Sequence, residues 1–498
     1  MMYVSTRDKK NMVTAAQAIT HGLANDGGLF IPQGTPKFSI ETIKSMINKS
    51  YLDRAVMVLS GFLTDFTEDE LKQAVTSAYT PEKFGEVPVP LVQLGNNTAV
   101  LELWHGPTSA FKDMALQLLP YLLTMSLTKT GETSKIVILV ATSGDTGKAA
   151  LEGFANVAGT QIIVFYPSEG VSDIQKRQMI TQEGNNVNVF GIEGNFDDAQ
   201  TGVKEIFSKA SIRETLHKNG FIFSSANSMN WGRLAPQIVY YFSAYVDAVK
   251  AKKIRLGEAI NFVVPTGNFG DILAGYYAKL MGLPVGKLIC ASNNNNVLTD
   301  FINTGKYDKN REFYKTTSPS MDILVSSNLE RLLYLVSDEN DVKTKERMDA
   351  LKTSGIYEIT EAERNAIQED FFGAWVDEIE VKESIKRVYD DYKYLMDTHT
   401  SVGYRALIKY RMLTNDAAYS VVLSTASPFK FSDAVLSALE TSERIKGEPF
   451  EILHKLADKT GEEIPQRMLE LETAPILHDV VIKAADMENT VLDSLVKD

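Results

Sequence analysis

The chain has 498 residues, 44% hydrophobic and 23% charged, with a net charge of −13 and one cysteine. Those values describe an ordinary globular protein with room for about three domains. They exclude a nucleic-acid surface for want of a basic patch, an internal disulfide, and a cysteine-built metal cage.

Six histidines are scattered without metal-ligand spacing, so no metal site is expected. Cys290 lies in the apolar run Leu288-Ile289-Cys290-Ala291 and reads as a packed small hydrophobe. The first ten residues lack the apolar segment of a secretory signal, and no apolar run approaches the ~20 residues of a membrane span. The expected setting is the cytoplasm, with neither membrane nor nucleic acid as partner. No extension precedes Ser5-Thr6-Arg7, which argues against a separate regulatory domain.

Residues 1 to about 90 form a helix-rich N-terminal region that ends near Pro81 and Val87-Pro88-Val89-Pro90, where proline suppresses helix. Next comes Trp104-His105-Gly106-Pro107-Thr108-Ser109-Ala110-Phe111-Lys112-Asp113, followed by an apolar helical run. A lysine at the mouth of a helix and beside apolar groups loses its charge more easily than a solvated one, and a neutral amine can condense with a carbonyl cofactor. The plain alternative for Lys112 is a surface lysine at a helix start.

From Lys135 short β-branched runs alternate with amphipathic helices: strands at 136–141, 161–166, 187–192 and 259–264, helices at 146–157, 172–183, 196–210 and 272–281. Uninterrupted apolar strands between helices indicate parallel strands covered on both faces, an α/β protein. Two strand-to-helix junctions carry glycine. Ala141-Thr142-Ser143-Gly144-Asp145-Thr146-Gly147 gathers backbone N–H groups and hydroxyls at a helix start, an anion-receptive place. It is not an ATP-binding loop, because two residues rather than four separate its glycines and Ala149 follows Lys148. Thr266-Gly267-Asn268-Phe269-Gly270-Asp271 repeats the arrangement without a dinucleotide fingerprint; taken singly it is equally a tight turn. Between them, Ser225-Ala226-Asn227-Ser228-Met229-Asn230-Trp231-Gly232-Arg233 offers hydroxyl, amide and guanidinium groups. Arg233 can grip a phosphate or carboxylate; Asn227 and Ser228 can instead simply cap the helix that follows.

Between about 300 and 395 charge becomes dense, and Thr360-Glu361-Ala362-Glu363 predicts a capping box. The stretch reads as a helical insertion with a solvated face, with a lid over the site as the alternative. Strand character returns at Val421-Val422-Leu423-Ser424-Thr425, and the last sixty or so residues read as helical and peripheral.

HGPTSAFKD (105–113), TSGDTG (142–147), NSMNWGR (227–233), GNFGD (267–271) and Ser318-Pro319-Ser320-Met321-Asp322-Ile323 occur in this order. They follow an N-terminal Ser5-Thr6-Arg7 and Gly22-Leu23-Ala24-Asn25-Asp26-Gly27-Gly28-Leu29-Phe30-Ile31-Pro32. This series resembles the threonine synthase family, pyridoxal-phosphate enzymes of the tryptophan-synthase-β-like fold (fold-type II). The resemblance implies two parallel-sheet domains with flanking helices plus a helix-rich N-terminal domain. It divides the chain into 1–90, a catalytic core at 91–430 with a smaller subdomain near 130–225, and a C-terminal helical region at 431–498. It implies pyridoxal 5′-phosphate held by Lys112, with the cofactor phosphate at Gly267, Asn268, Phe269 and Gly270 and the pyridine nitrogen at Thr425. It implies that Thr142, Ser143 and Thr146 meet a substrate carboxylate, and Ser228, Asn230 and Arg233 a substrate phosphate. The implied reaction is O-phosphohomoserine plus water to threonine plus phosphate, by a monomer or homodimer. The rival is another lyase of the fold group, such as a threonine dehydratase or a β-replacing synthase; a binding protein that has lost catalysis is a further class. Asp145, at about the place where the wider fold group often has an asparagine, receives no role. His105 reads as orienting its loop through a backbone hydrogen bond rather than as a general base.

Overall fold

In the computed structural model, residues 1–496 are described except 143, 169–170, 443–444 and 446. The larger of two main sheets has six strands in the order Phe371–Trp375, Val285–Ser292, Ile260–Pro265, Ser420–Ser424, Thr98–Glu102, Leu91–Leu94. All its neighbours run parallel except the last pair. The smaller sheet has five parallel strands in the order Val481–Lys483, Val187–Glu193, Thr160–Pro167, Lys135–Ala141, Phe221–Ser224. The two parallel-sheet domains that the resemblance implies are present, built of the parallel strands that the alternating pattern predicts.

The uninterrupted apolar runs have a simple cause. In Ile260–Pro265, Ile260, Phe262 and Val264 enter one core while Val263 enters another on the opposite face. Lys135–Ala141 does the same: Ile136, Ile138 and Val140 pack on one side, Val137 and Leu139 on the other. Successive side chains of a strand point to opposite faces, so a sheet buried on both must be apolar throughout.

The N-terminal region contains helices and also a three-stranded antiparallel sheet, with Tyr3–Ser5 between Asp8–Val13 and Phe30–Pro32. Its helix Tyr51–Phe62 starts at a Ser50/Asp53 capping box and buries Ala55, Val58, Leu59 and Phe62, one stripe of a 3.6-residue period. That stripe faces the long helix Trp231–Lys250 of the core. At the seam the Trp231 ring takes edge-on neighbours from Tyr3 and Phe62, both at 5.4 Å, and from Tyr277 at 5.3 Å.

Two stretches depart from the sequence reading. The 300–395 region is not a purely helical insertion: Phe371–Trp375 is the edge strand of the larger sheet, and Lys306–Asp308 pairs antiparallel with Ile356–Glu358. The Thr360/Glu363 capping box is formed, but the buried Glu363 also pairs with Arg347 at 2.6 Å. The chain's last segment is not peripheral either. Val481–Lys483 pairs with Gly191–Glu193, and the helix Met487–Leu495 lays Met487, Val491 and Leu495 against Ala199, Val203 and Ile206. No helix among the described residues is long and apolar enough to cross a membrane.

Candidate active site

The sequence-predicted site residues among those described follow the carboxyl ends of parallel strands, where the loops of an open α/β sheet converge. Lys112 follows Thr98–Glu102. The chain turns at Gly106, where an added Cβ would stand 2.5 Å from that of Asp113, and passes through Ser109 with φ at +57°. It is then stitched to the strand Ser420–Ser424: Phe111 N–H donates to the Thr425 carbonyl at 2.8 Å, and Ser427 N–H to the Ser109 carbonyl at 3.1 Å. These bonds put Lys112 beside Thr425 and make it the residue that opens the short helix Asp113–Leu116.

The Lys112 side chain is half-buried. Loss of water pushes its ammonium down from 10.5 to about 8; the Asp145 carboxylate opposes that, while the Lys430 and Arg233 cations add to it. Next to it, the buried Asp113 accepts from Thr108 N–H at 2.7 Å and Thr108 Oγ at 2.9 Å. Burial pushes that carboxyl up to about 7 against those bonds.

The glycine turn follows Ile260–Pro265 and opens the helix Gly270–Leu280. Its carbonyls are turned outward and used: Ser326 Oγ donates to Gly267 O at 2.9 Å, and Asn328 N–H to Asn268 O at 3.0 Å. The backbone N–H groups of Gly267, Asn268, Phe269 and Gly270 have no acceptor among the described residues. Phe269 holds a left-handed φ of +63°, a conformation that costs a non-glycine residue about 1–3 kcal/mol and persists where the surroundings enforce it. A Cβ on Gly267 would sit 2.6 Å from the Ser320 carbonyl oxygen.

Asn328 braces the turn from behind, and Arg331 fixes it by bonds to Asn328 Oδ1, the Phe30 carbonyl at 2.9 Å and the Met229 carbonyl at 2.6 Å. Asn328 Nδ2 is buried, unpartnered and directed at Gly270. Unspent donors at a helix N-terminus form a receiver for an anion. The N-terminal Arg7 enters the same bracing, paired with Glu330 at 2.7 Å.

The expectations for the other loops divide. Thr146 and Ser228 are half-buried, and Thr425 is buried; their hydroxyls carry no hydrogen bond among the described residues, leaving them free to meet a ligand. Arg233 is buried without a carboxylate partner; Nη1 donates to the Ala226 carbonyl, Nε is unpartnered, and burial lowers the group to about 10. Two of the candidates spend their side-chain bonds within the protein. Thr142 Oγ1 accepts from Gly144 N–H at 3.0 Å and Gly147 N–H at 2.9 Å, so it closes its own loop. Asn230 caps the helix Trp231–Lys250 through Gly232 N–H at 2.9 Å, and both its amide hydrogens go to carbonyls, of Ile19 and Ser225, each at 2.9 Å. It has no donor left for a substrate. Ser143 lies outside the described residues. His105 bonds a carboxylate, Glu102 Oε2 at 2.7 Å, rather than the backbone, and stacks on Trp104.

Four partners at the site were not among the candidate site residues, and three of them, Lys430, Gln175 and His399, carry no local signature. The buried Lys430 pairs with Asp145 at 2.6 Å and donates to the Thr108 carbonyl at 3.0 Å. Burial by itself would raise Asp145; the Lys430 and Lys112 cations overcome it and hold the carboxyl well below its usual range. Gln175 Nε2 and Ser320 Oγ complete the shell of Asp145 at 3.0 and 3.2 Å. Ser320 N–H donates to His399 Nε2 at 3.1 Å, which leaves the proton on Nδ1 for Asp397 at 2.6 Å. Ser320 belongs to the Ser318–Ile323 motif, whose Asp322 accepts from Asn293, Asn295 and Thr316 and so fixes that segment. The site is thus a circuit of neighbours: Lys430, Gln175 and Ser320 bond Asp145, the Lys112 charge acts on it, and the Ser320 carbonyl lies against Gly267. It has two anion-receptive parts, the glycine turn and the region of Arg233.

Comparison with known proteins gives this circuit a context. Residues 2–79 match the family model described as threonine synthase N terminus, 83–426 the pyridoxal-phosphate dependent enzyme model, and 400–489 the threonine synthase C-terminal model. A threonine synthase of Pseudomonas aeruginosa is 40% identical over 442 residues, covering 88% of this chain and 90% of that protein. The human threonine synthase-like 1 is 39% identical over 459 residues, covering 89% of this chain and 61% of that longer protein. The chain therefore spans under two thirds of the length of the threonine synthase-like 1 relatives. The crystal structure of pyridoxal-phosphate-bound threonine synthase from Brucella melitensis superposes with a TM-score of 0.88 at 37% identity, covering all of both chains.

Proposed function

The chain belongs to the threonine synthase family of pyridoxal-phosphate-dependent enzymes, and on that premise we propose that it converts O-phospho-L-homoserine and water to L-threonine and inorganic phosphate. Bound pyridoxal phosphate supplies an aldehyde for an amine and a conjugated ring that delocalises charge from the substrate's α carbon.

The chain's own groups supply the rest. The four unspent N–H groups of Gly267 to Gly270, with Asn328 Nδ2, would hold the cofactor phosphate. The Thr425 hydroxyl would hydrogen-bond the pyridine nitrogen without forcing a proton onto it. Lys112 would hold the aldehyde and, as a free amine, would move protons at the substrate's α and β carbons. Its lowered pKa raises the share of that amine in the neutral form that accepts a proton. Arg233 and Ser228 meet the substrate phosphate and Thr146 its carboxylate. The phosphate leaves from the γ carbon, and water adds at the β carbon.

The observation that carries this reading is the second receiver. Arg233 is a buried guanidinium with no carboxylate partner among the described residues, in the same strand-to-helix segment as Ser228. A dehydratase acting on threonine has one carboxylate and no phosphate to offer it. Separate incubations with O-phosphohomoserine and with threonine decide the point. Phosphate released from the first, with threonine formed, supports the proposal; ketoacid from the second with no phosphate from the first replaces it. The reading is of a cytoplasmic enzyme with a small-molecule substrate, working as a monomer or homodimer.

A further inference from the structure

We propose that Lys430 is a positioning residue: through Asp145 it fixes the small-sheet wall of the cleft, the wall that carries Thr146, against the Lys112 arm. Both side chains are almost wholly buried, at 0% and 4% exposure, and Nζ stands 2.6 Å from Asp145 Oδ1. Lys430 lies in the turn Pro428–Phe431, a few residues past Thr425, and so belongs to the larger sheet. Its other bond goes to the Thr108 carbonyl, on the segment that delivers Lys112. Asp145 opens the helix Asp145–Phe154 of the smaller sheet, and Thr146 follows it in the same turn.

One ammonium therefore grips both walls of the cleft, next to the amine that does the chemistry. The remaining bonds of Asp145 repeat the pattern. Ser320 reaches it from the larger-sheet side and Gln175 from the smaller. Gly144 leaves room for Gln175, whose amide carbon would lie 2.4 Å from a Cβ there.

Taking away the ammonium leaves the buried carboxylate hydrogen-bonded only by the neutral Gln175 and Ser320, with Lys112 as its remaining nearby cation, and a buried carboxylate that has lost its ion pair turns toward water. The turn would carry the Thr146 hydroxyl away from the cleft while the braced glycine turn stayed in place. Removing both charges removes the grip without stranding either one.

The assignment of Thr146 to the substrate rests on the function proposed above; the grip itself does not, and the test separates the two. Full-length Lys430→Met, Asp145→Asn, the double variant and Lys430→Arg are compared with the parent by amide hydrogen exchange, with and without pyridoxal phosphate, and by steady-state kinetics. In Lys430→Met, exchange in peptides covering 144–155 should rise about tenfold or more while peptides covering 266–280 exchange as in the parent. KM for O-phosphohomoserine should rise roughly tenfold with kcat changed less than about threefold, and Lys430→Arg should recover most of the loss. The double variant should be no worse than the worse single, because the two residues act as one unit. Exchange that is unchanged, or raised evenly along the chain, overturns the proposal; so do single effects that multiply in the double variant. If Lys430→Met does not fold, the double variant, with no unpaired buried charge, carries the exchange comparison. A parent that releases no phosphate from O-phosphohomoserine defeats the proposed function and leaves the exchange result to judge Lys430.

Discussion

The turn at Thr266–Gly270 and the loop at Thr142–Gly147 have the same parts: a buried parallel strand, glycines, and the first turn of a helix. They spend their hydrogen bonds in opposite ways. In the first, carbonyls are tied back to Ser326 and Asn328 and the N–H groups are left unspent. In the second, Thr142 Oγ1 consumes the N–H groups of Gly144 and Gly147, and a side chain, Asp145, makes the outward contacts. Two loops of one local grammar thus become a rigid anion receiver and a wall held by a side-chain grip. The difference lies in what packs behind them: the 318–331 segment in one case, Lys430 in the other.

The harshest way to break the comparison is to remove the candidate reacting amine. Lys112→Ala should lower phosphate release from O-phosphohomoserine by roughly 10⁴-fold or more, the scale of losing a covalent attachment and a proton carrier together. It should also abolish the visible absorbance of cofactor bound through an amine. A variant that kept both would show that the circuit around Lys112 is not the reacting centre.

Glycine substitutions sharpen the contrast. Gly267→Ala pushes a methyl to 2.6 Å from the Ser320 carbonyl, a backbone atom that cannot swing aside, and overpacking of this kind costs about 1–3 kcal/mol. The loss should appear as cofactor affinity weakened by about 10- to 100-fold in a pyridoxal-phosphate titration, on the same energy scale. Gly144→Ala meets only the Gln175 side chain, at 2.4 Å, though at a strained φ of +143°. It should raise KM and leave cofactor affinity within ~3-fold, since the added methyl meets no part of the glycine turn. Equal losses of cofactor affinity in the two variants would erase the distinction between receiver and wall.

A milder probe is pH. In cofactor-free protein the nucleophile toward the aldehyde is the neutral Lys112 amine. With its pKa lowered from 10.5 to about 8, roughly a tenth is neutral at pH 7, against a few parts in ten thousand for an unshifted lysine. The rate of cofactor attachment, followed by stopped-flow absorbance, should therefore climb about tenfold from pH 7 and level off by about pH 9. A climb that continues past pH 10 would mean that Lys112 is solvated, and the depressed value along with its cause would be wrong.

How much of this was legible follows from the range of the forces involved. Strands such as Lys135–Ala141 announced themselves because burial on both faces demands an unbroken apolar run. Lys112, the Thr266–Gly270 turn and Arg233 stood out because their chemistry is packed into a few consecutive residues. What escaped depends on partners distant in sequence. Lys430 sits in Pro428-Phe429-Lys430-Phe431, which gives no sign that its ammonium lies against Asp145. Phe371–Trp375 is an edge strand with no alternation, and Val481–Lys483 is three residues with half its surface open, so neither has a period to read. Asn230 was drawn toward a ligand by its neighbours Ser228 and Arg233, while its partner Ile19 belongs to the N-terminal region.

That last arrangement yields the smallest expected effect on catalysis. Asn230→Ala deletes a helix cap and two bonds to buried carbonyls, of Ile19 and Ser225. Loss of the cap costs about 1 kcal/mol, and the unpaired carbonyls add to it. The denaturant midpoint should fall while the slope of the transition stays the same. KM for O-phosphohomoserine should move by less than ~2-fold, because no N–H of that amide is free to reach a phosphate. An increase in KM of tenfold or more with unchanged stability would return Asn230 to the substrate. It would also mean that the Trp231–Lys250 helix starts without the cap seen here, and that the wall carrying Arg233 is reshaped when substrate arrives.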